Sequence, residues 1–371
     1  MLSSKNKAIL VYIFTLFVIT RVVLTAVGVA TRKQTANVVD QERVFSDHRY
    51  LALDIWASWD SVWYADVITN GYSATRPIED PTLGRKNYAF FPLYPAITKI
   101  LGTILFKDYI LSGVLVSNVC LIGSAFLLYT LAELDYNEEV AKKSVKYLFL
   151  FPFNFVLSGF FSESLFLFLL LLFYYLVKKN RKLPAFVIGV LMSLTKVNAL
   201  AAIPALMVHK SESTTKDLTR YFYISSLVVG VVIFAYYVFT PTGKPFALFT
   251  IQQTWYRRLD YPLNHVFYGF AASSFHAKWS AAVALIALIF ILGSFVILSF
   301  EHWVLAVFML FLPLSTGLLS MPRYLTIIFP IYIALGKIAK NKTADIFLSI
   351  FLCFLQIVMM GLWSVGFGLV I

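Results

Sequence analysis

Apolar runs of about 20 residues recur along this chain, separated by short connectors rich in Lys and Arg. A helix rises about 1.5 Å per residue, so such a run matches the roughly 30 Å hydrocarbon core of a bilayer. Inside that core every backbone N–H and C=O needs a partner from its own chain, which leaves helices or closed barrels. The runs are continuous rather than alternating with a period of two, and that selects helices. Composition agrees, since 60% of the 371 residues are hydrophobic and 13% are charged, about half the charged share of a soluble domain. The expected fold class is all-α, a polytopic helical membrane protein forming a single domain over residues 1–371.

Lys and Arg set the expected topology. Residues 8–30 follow Lys5 and Lys7 like a signal anchor but lack a convincing small-residue cleavage site, and read as a retained first helix. Residues 31–107 then form an extracytoplasmic loop whose apolar piece, 88–106, is broken by Pro92 and Pro95 and reads as an interfacial helix. Residues 110–131 cross inward, 147–158 outward and 165–177 inward again, ending at the basic cluster 178–182. Residues 185–207 are interrupted at Thr195-Lys196-Val197-Asn198 and read as two short helices meeting on the outer side. Residues 222–239 lead to a second outer loop, 240–276, holding Trp255, Arg257, Arg258 and Asp260. Runs 281–300, 303–314, 325–336 and 346–371 complete about eleven spans, with the basic stretch 337–342 cytoplasmic. The Asn341-Lys342-Thr343 sequon falls on that cytoplasmic side and is discounted.

The net charge of +12 is assigned to this orientation and to anionic lipid substrates, with no nucleic-acid partner. Cys120 and Cys353 lie inside apolar runs, so neither a disulfide nor a zinc framework is expected. His48, His209, His265, His276 and His302 have no metal-ligand spacing, and no cofactor is expected, although the first-loop acids offer a divalent cation a place. A Walker A motif is lacking, which argues against a pump, and so is the internal repeat that marks secondary transporters.

Candidate chemistry gathers on the outer face. Acids Asp40, Glu42, Asp47, Asp54, Asp60, Asp66, Glu79 and Asp80 crowd the first loop. Among them Trp56, Trp59, Asp60, Trp63 and Tyr64 follow helical spacing and are expected on one stripe. An amphipathic surface helix has the same pattern, so Asp60 decides. On the apolar side of such a helix a carboxylate is desolvated at a cost that calls for a function or a cationic partner. Its alternatives are helix capping or an ion pair with Arg49 or Arg76.

Several short motifs then fall in order along the chain: Trp59-Asp60-Ser61-Val62-Trp63-Tyr64, Asn70-Gly71-Tyr72, and Ala89-Phe90-Phe91-Pro92-Leu93-Tyr94-Pro95. Phe161-Ser162-Glu163-Ser164-Leu165-Phe166, Thr195-Lys196-Val197-Asn198 and Arg323-Tyr324-Leu325 follow. In this order the set resembles the GPI mannosyltransferase II (PIG-V) family, with Lys196 where members commonly carry Arg and Ala199 where Gly is usual. The resemblance spans residues 59–325 and implies a GT-C-type fold with interfacial helices in the first outer loop. It implies an enzyme that moves a sugar, mannose by preference, from a polyprenyl-phosphate donor lipid to an acceptor hydroxyl on the extracytoplasmic side. The acceptor is a glycan, a lipid or a protein. The membrane is the plasma (inner) membrane in a prokaryote and the endoplasmic reticulum in a eukaryote.

Chemistry then suggests roles. A carboxylate such as Asp60 suits a general base for the acceptor hydroxyl. Cations Arg323, Lys196 and Arg21 suit the phosphate, whose charge grows as the donor leaves. Trp59, Trp63, Tyr64, Glu163, Asn198 and Tyr324 are the candidate substrate contacts. Each also has a plainer role: Glu163 as a satisfied turn residue, Lys196 and Arg21 as snorkelling cations, Arg323 as an interfacial anchor, and Tyr64, Tyr324 and Asn198 as packing residues. No paired carboxylates suggest a covalent intermediate, so single inverting displacement is expected. Two rival readings stand beside this one: a polytopic transporter or flippase, and another lipid-linked transferase of the same architecture.

Overall fold

The computed structural model describes residues 4–35, 50–72, 87–209, 216–244 and 246–370. Of the first-loop acids, Asp40, Glu42, Asp47, Glu79 and Asp80 lie outside these residues, as do His48, Arg49 and Arg76. In chain order the described helices are α1 (Ser4–Gln34), α2 (Leu51–Asp54), α3 (Ser61–Asn70), α4 (Leu93–Ile104), α5 (Tyr109–Asp135) and α6 (Glu138–Leu150). They continue with α7 (Glu163–Lys178), α8 (Lys182–Ser193), α9 (Ile203–Val208), α10 (Lys216–Thr242), α11 (Ala247–Thr254) and α12 (Pro262–Ala271). The last are α13 (Phe275–Gly293), α14 (Phe300–Leu314), α15 (Met321–Leu325), α16 (Pro330–Ile338) and α17 (Lys342–Ser364). The protein is an all-helical, polytopic membrane protein.

Five of these elements, α1, α5, α10, α13 and α17, are long and apolar enough to cross a bilayer. Their outward faces carry large apolar side chains that in water would be an aggregation hazard, such as Val11, Phe14 and Val22 on α1, Val232 and Ile233 on α10, and Ile350 and Phe354 on α17. The remaining expected spans are shorter pieces. As anticipated, the stretch around Thr195 divides it into α8 and a 3-10 turn, Val197–Ala202, that leads into α9.

Several helix starts follow from capping chemistry. Asp108, Asn137, Ser299 and Asn341 each accept a hydrogen bond from a first-turn backbone N–H of α5, α6, α14 and α17. Acids Glu138, Glu139, Glu301 and Asp345 follow in the first turns, where the helix dipole favours them.

Two expected spans are not continuous helices. Residues 147–158, read as an outward crossing, instead begin in the last turns of α6 and continue as buried irregular chain through a 3-10 turn, Asn154–Ser158. Pro152 cannot extend α6, and the freed polar groups find partners in the protein rather than in lipid. The Gln356 amide donates to the carbonyls of Phe149 (3.0 Å) and Phe151 (2.9 Å), and Asn154 donates to Leu148 O (2.6 Å). Residues 325–336 likewise split into α15 and α16, with Pro330 at the first turn of α16. The Tyr332 hydroxyl donates to Thr326 O (2.6 Å) and accepts from the Asn154 amide (2.9 Å), tying the two irregular stretches together. These stretches precede Glu163 and follow Arg323.

Candidate active site

The Trp59 region departs from the single helical stripe that spacing suggests. α2 ends at Asp54, the chain turns through Trp59 in the left-handed region (φ 57), and α3 starts only at Ser61. Trp56 and Trp59 are therefore not on the helix that carries Trp63 and Tyr64. Backbone pairing across the fold shapes this turn. The Phe160 N–H donates to Trp56 O (2.9 Å), and the Ser61 hydroxyl donates to Ser58 O (2.9 Å) and Phe160 O (3.2 Å). From the α3 side, the Tyr64 hydroxyl bonds the Ser162 hydroxyl at 2.7 Å. The turn is thus stitched to the segment that begins α7, one residue before Glu163.

Asp60 sits at the N-cap position of α3 but makes no capping bond. Its Oδ2 instead accepts from Arg323 Nη1 at 2.5 Å. Arg323 Nε lies 3.2 Å from Glu163 Oε1, and the same oxygen accepts from Lys196 Nζ at 2.9 Å. Four residues, from the N-cap of α3, from α7, from α15 and from the break after α8, thus form one chain of alternating charge, Asp60–Arg323–Glu163–Lys196. Glu163 is 1% exposed and Arg323 7%, whereas Asp60 is 14% and Lys196 12% exposed. The inner members are sealed and the outer two reach open space.

Burial alone would raise the Glu163 carboxyl, but Lys196 and then Arg323 outweigh it and hold it below its ordinary value. Burial acts to lower Arg323, and the charges of Asp60 and Glu163 more than reverse that, so the guanidinium stays protonated. Removing one member of such a buried pair leaves a charge without compensation, a loss that typically costs about 3–5 kcal/mol. Glu163 Oε2 has no hydrogen-bond partner among the described residues, so the network holds that acid through one oxygen.

Three members of this network, Asp60, Arg323 and Lys196, line a cavity of about 460 Å³, within the roughly 300–1,000 Å³ of typical small-molecule sites. Trp59, Asp60, Trp63, Tyr64, Lys196, Arg323 and Tyr324 line it, joined by Arg257 and Trp255 from the second loop. Trp63 stacks on Phe90 at 5.9 Å and meets Trp255 edge-on at 5.2 Å, giving one wall a rigid aromatic surface. Tyr324 faces Lys196 at 5.5 Å and Arg257 at 5.3 Å from its ring, and its hydroxyl accepts from Arg257 Nη2 at 2.9 Å. Burial pushes this phenol up, but Arg257, Lys196 and Arg323 together bring it below its ordinary value.

Three of the candidates named from the sequence stand off the cavity wall. Glu163 lies behind Arg323, and Asn198 is buried in the 3-10 turn after Lys196. Arg21 is buried on α1, where it donates to the Ser158 hydroxyl at 2.7 Å and lies over Trp56. Conversely, sequence reasoning noted Arg257 and Trp255 as loop residues without assigning them a role. Their signal was Trp255 beside the basic pair Arg257 and Arg258 in an outer loop. No group of three or more His, Cys, Asp or Glu suited to a metal occurs among the described residues.

No protein-family model and no curated protein matches the chain. Among solved structures it is similar to the crystal structure of an Archaeoglobus fulgidus oligosaccharyltransferase in complex with zinc and sulfate, at 11% identity and a TM-score of 0.44. That match covers 94% of this chain and 53% of the other, so the chain spans about half the length of that protein.

Proposed function

We propose that the protein is a membrane glycosyltransferase of GT-C type that transfers a sugar, mannose by preference, from a polyprenyl-phosphate donor to an acceptor hydroxyl. The observation that carries this reading is Asp60: a carboxylate at the wall of an aromatic-lined cavity, fixed through one oxygen by Arg323. No described side chain hydrogen-bonds its other oxygen. A general base needs this arrangement, with one oxygen held and the other able to take a proton.

In the proposed reaction the acceptor oxygen attacks the anomeric carbon while its proton passes to Asp60. The bond from that carbon to the phosphate oxygen breaks, and the electron pair leaves with polyprenyl monophosphate. The Trp63–Phe90–Trp255 surface suits the apolar face of a sugar ring, and the cations Lys196, Arg257 and Arg323 suit the phosphate as its charge grows. Asp60 is the only acid among the described lining residues, and Glu163 behind it is bound to two cations. Among the described residues no second carboxylate at this wall is free to form a covalent intermediate, which favours inversion in a single step. An apolar groove of about 420 Å³ bordered by Leu325, Trp279 and Met359 begins two residues from Arg323 and suits the donor's hydrocarbon chain.

The test is donor consumption. Purified full-length protein in detergent, given polyprenyl-phosphate-mannose and a panel of lipid and glycan acceptors, is expected to release polyprenyl monophosphate. Absence of release with every acceptor, alongside protein-dependent movement of the lipid across vesicles, would assign the cavity to a transporter instead.

A further inference from the structure

Among the described residues, charge around the cavity does not balance, and the imbalance is local. Lys196, Arg257 and Arg323 line it, against Asp60 at the wall and Glu163 behind. Arg323 is taken by both carboxylates and Lys196 by Glu163. Arg257 is half-buried, and no described carboxylate lies within ion-pair distance of it. Its guanidinium is positioned by neutral acceptors only, donating to Thr316 Oγ1 (3.3 Å), Leu319 O (3.1 Å) and the Tyr324 hydroxyl (2.9 Å). Because the Tyr324 oxygen accepts from Arg257, its own hydrogen has no described acceptor and is left to donate. Three described cations against two described acids leave one positive charge, and it resides at the Arg257–Tyr324 corner.

We infer that Arg257 and the Tyr324 hydroxyl, with Lys196 5.5 Å from the Tyr324 ring, form the anion-binding corner of the cavity, which takes the phosphate of the lipid donor. Arg323 is then the counter-ion that positions Asp60 and Glu163 rather than the main phosphate ligand. This deepens the reading proposed above and rests on it. A phosphodiester donor carries one negative charge, which matches the one unpaired cation. Arg323 is a poorer candidate because engaging a phosphate requires it to release a carboxylate in a sealed site. Arg257 has no such debt: it is preorganised by neutral groups and keeps donors free, since an arginine has five N–H groups and three of the bonds are made.

The corner is tested by binding, which is independent of turnover. Full-length protein in detergent is titrated with farnesyl phosphate, and separately with inorganic phosphate at equal ionic strength, by calorimetry. Arg257→Gln is expected to weaken farnesyl phosphate binding roughly tenfold to a hundredfold, as loss of a charge-assisted contact does. Tyr324→Phe is expected to weaken it severalfold, and Arg258→Gln, one residue away and exposed, to leave it unchanged. If Arg257→Gln does not fold, Arg257→Lys with Tyr324→Phe decides the matter, both being expected to bind more weakly than wild type. Unchanged affinity in the Arg257 and Tyr324 variants overturns the corner and leaves the donor reading intact. Failure of the wild-type protein to bind either probe overturns both. Equal affinity for the two probes, lost together in Arg257→Gln, keeps the anion corner and overturns its assignment to a lipid.

Discussion

The Asp60 carboxylate has three conceivable uses, and geometry separates them. It does not cap α3, although it stands at the N-cap, because the side chain turns away from the first-turn amides. Among the described residues its ionic partner is Arg323, 263 residues later in the chain; the first-loop alternatives Arg49 and Arg76 lie outside those residues. What is left is a carboxylate held at one oxygen beside a cavity. Asp60→Asn keeps the shape and loses the ability to accept the acceptor's proton, so turnover is expected to fall by about 10²–10⁴-fold while donor binding survives. Asp54 and Asp66 are the controls. Asp66 accepts from the amides of Asn70 (2.7 Å) and Asn87 (2.5 Å), a structural role. Asp66→Asn is therefore expected to lower stability by about 1–3 kcal/mol and to spare turnover in the folded fraction. Near-normal turnover in Asp60→Asn, or a dead but folded Asp54→Asn or Asp66→Asn, would move the base elsewhere.

At the scale of elements, the site depends on how closely helices approach behind it. α8 and α10 pack with Gly230 at the contact: a Cβ there would meet Val190 O at 2.5 Å and Ser193 Cβ at 2.7 Å. A carbonyl of a neighbouring helix cannot rotate aside as a side chain can, so even one methyl group drives the helices apart. Because α8 ends next to Lys196, such a shift is carried to the charged network. Gly230→Ala is expected to destabilise the protein by about 1–3 kcal/mol, read as an earlier unfolding midpoint in a detergent titration. Gly293→Ala is the matched control, since a Cβ at Gly293 meets nothing within 4 Å. Equal midpoints for the two variants would mean that α8 and α10 are not tightly packed.

For the whole molecule, orientation in the membrane decides which side the cavity opens to. The basic connector at 178–182 is expected in the cytoplasm and the second loop outside, following the positive-inside rule. Two exposed positions test this: Lys179 at the end of α7, and Leu259, 85% exposed between α11 and α12. Ser61 is unsuitable for a probe because it is fully buried. With Cys120 and Cys353 replaced by Ala, an impermeant thiol reagent applied to intact cells is expected to label Leu259→Cys and not Lys179→Cys. Labelling of Lys179→Cys alone would invert the protein and bring the cavity to the cytoplasmic face.

The sequence by itself determined the class of this protein, because hydrocarbon imposes a local rule: each apolar run must satisfy its own backbone, so length and continuity are enough to read a helix. It also marked α1, α5, α10, α13 and α17, the division at Thr195, and Asp60, Glu163, Lys196 and Arg323 as residues of chemical interest. Periodicity failed at Trp59, where the expected stripe is cut by a left-handed turn held by Phe160, and at 147–158 and 325–336, where Asn154 and Tyr332 stabilise irregular chain. Only the tertiary structure decided who pairs with whom. Arg323 meets Asp60 and Glu163, and Arg257 alone among the cavity's cations faces no described acid. Ion pairs act through space over a few ångströms whatever the distance along the chain, so they leave no periodic trace in the sequence and appear only when the fold brings the charges together.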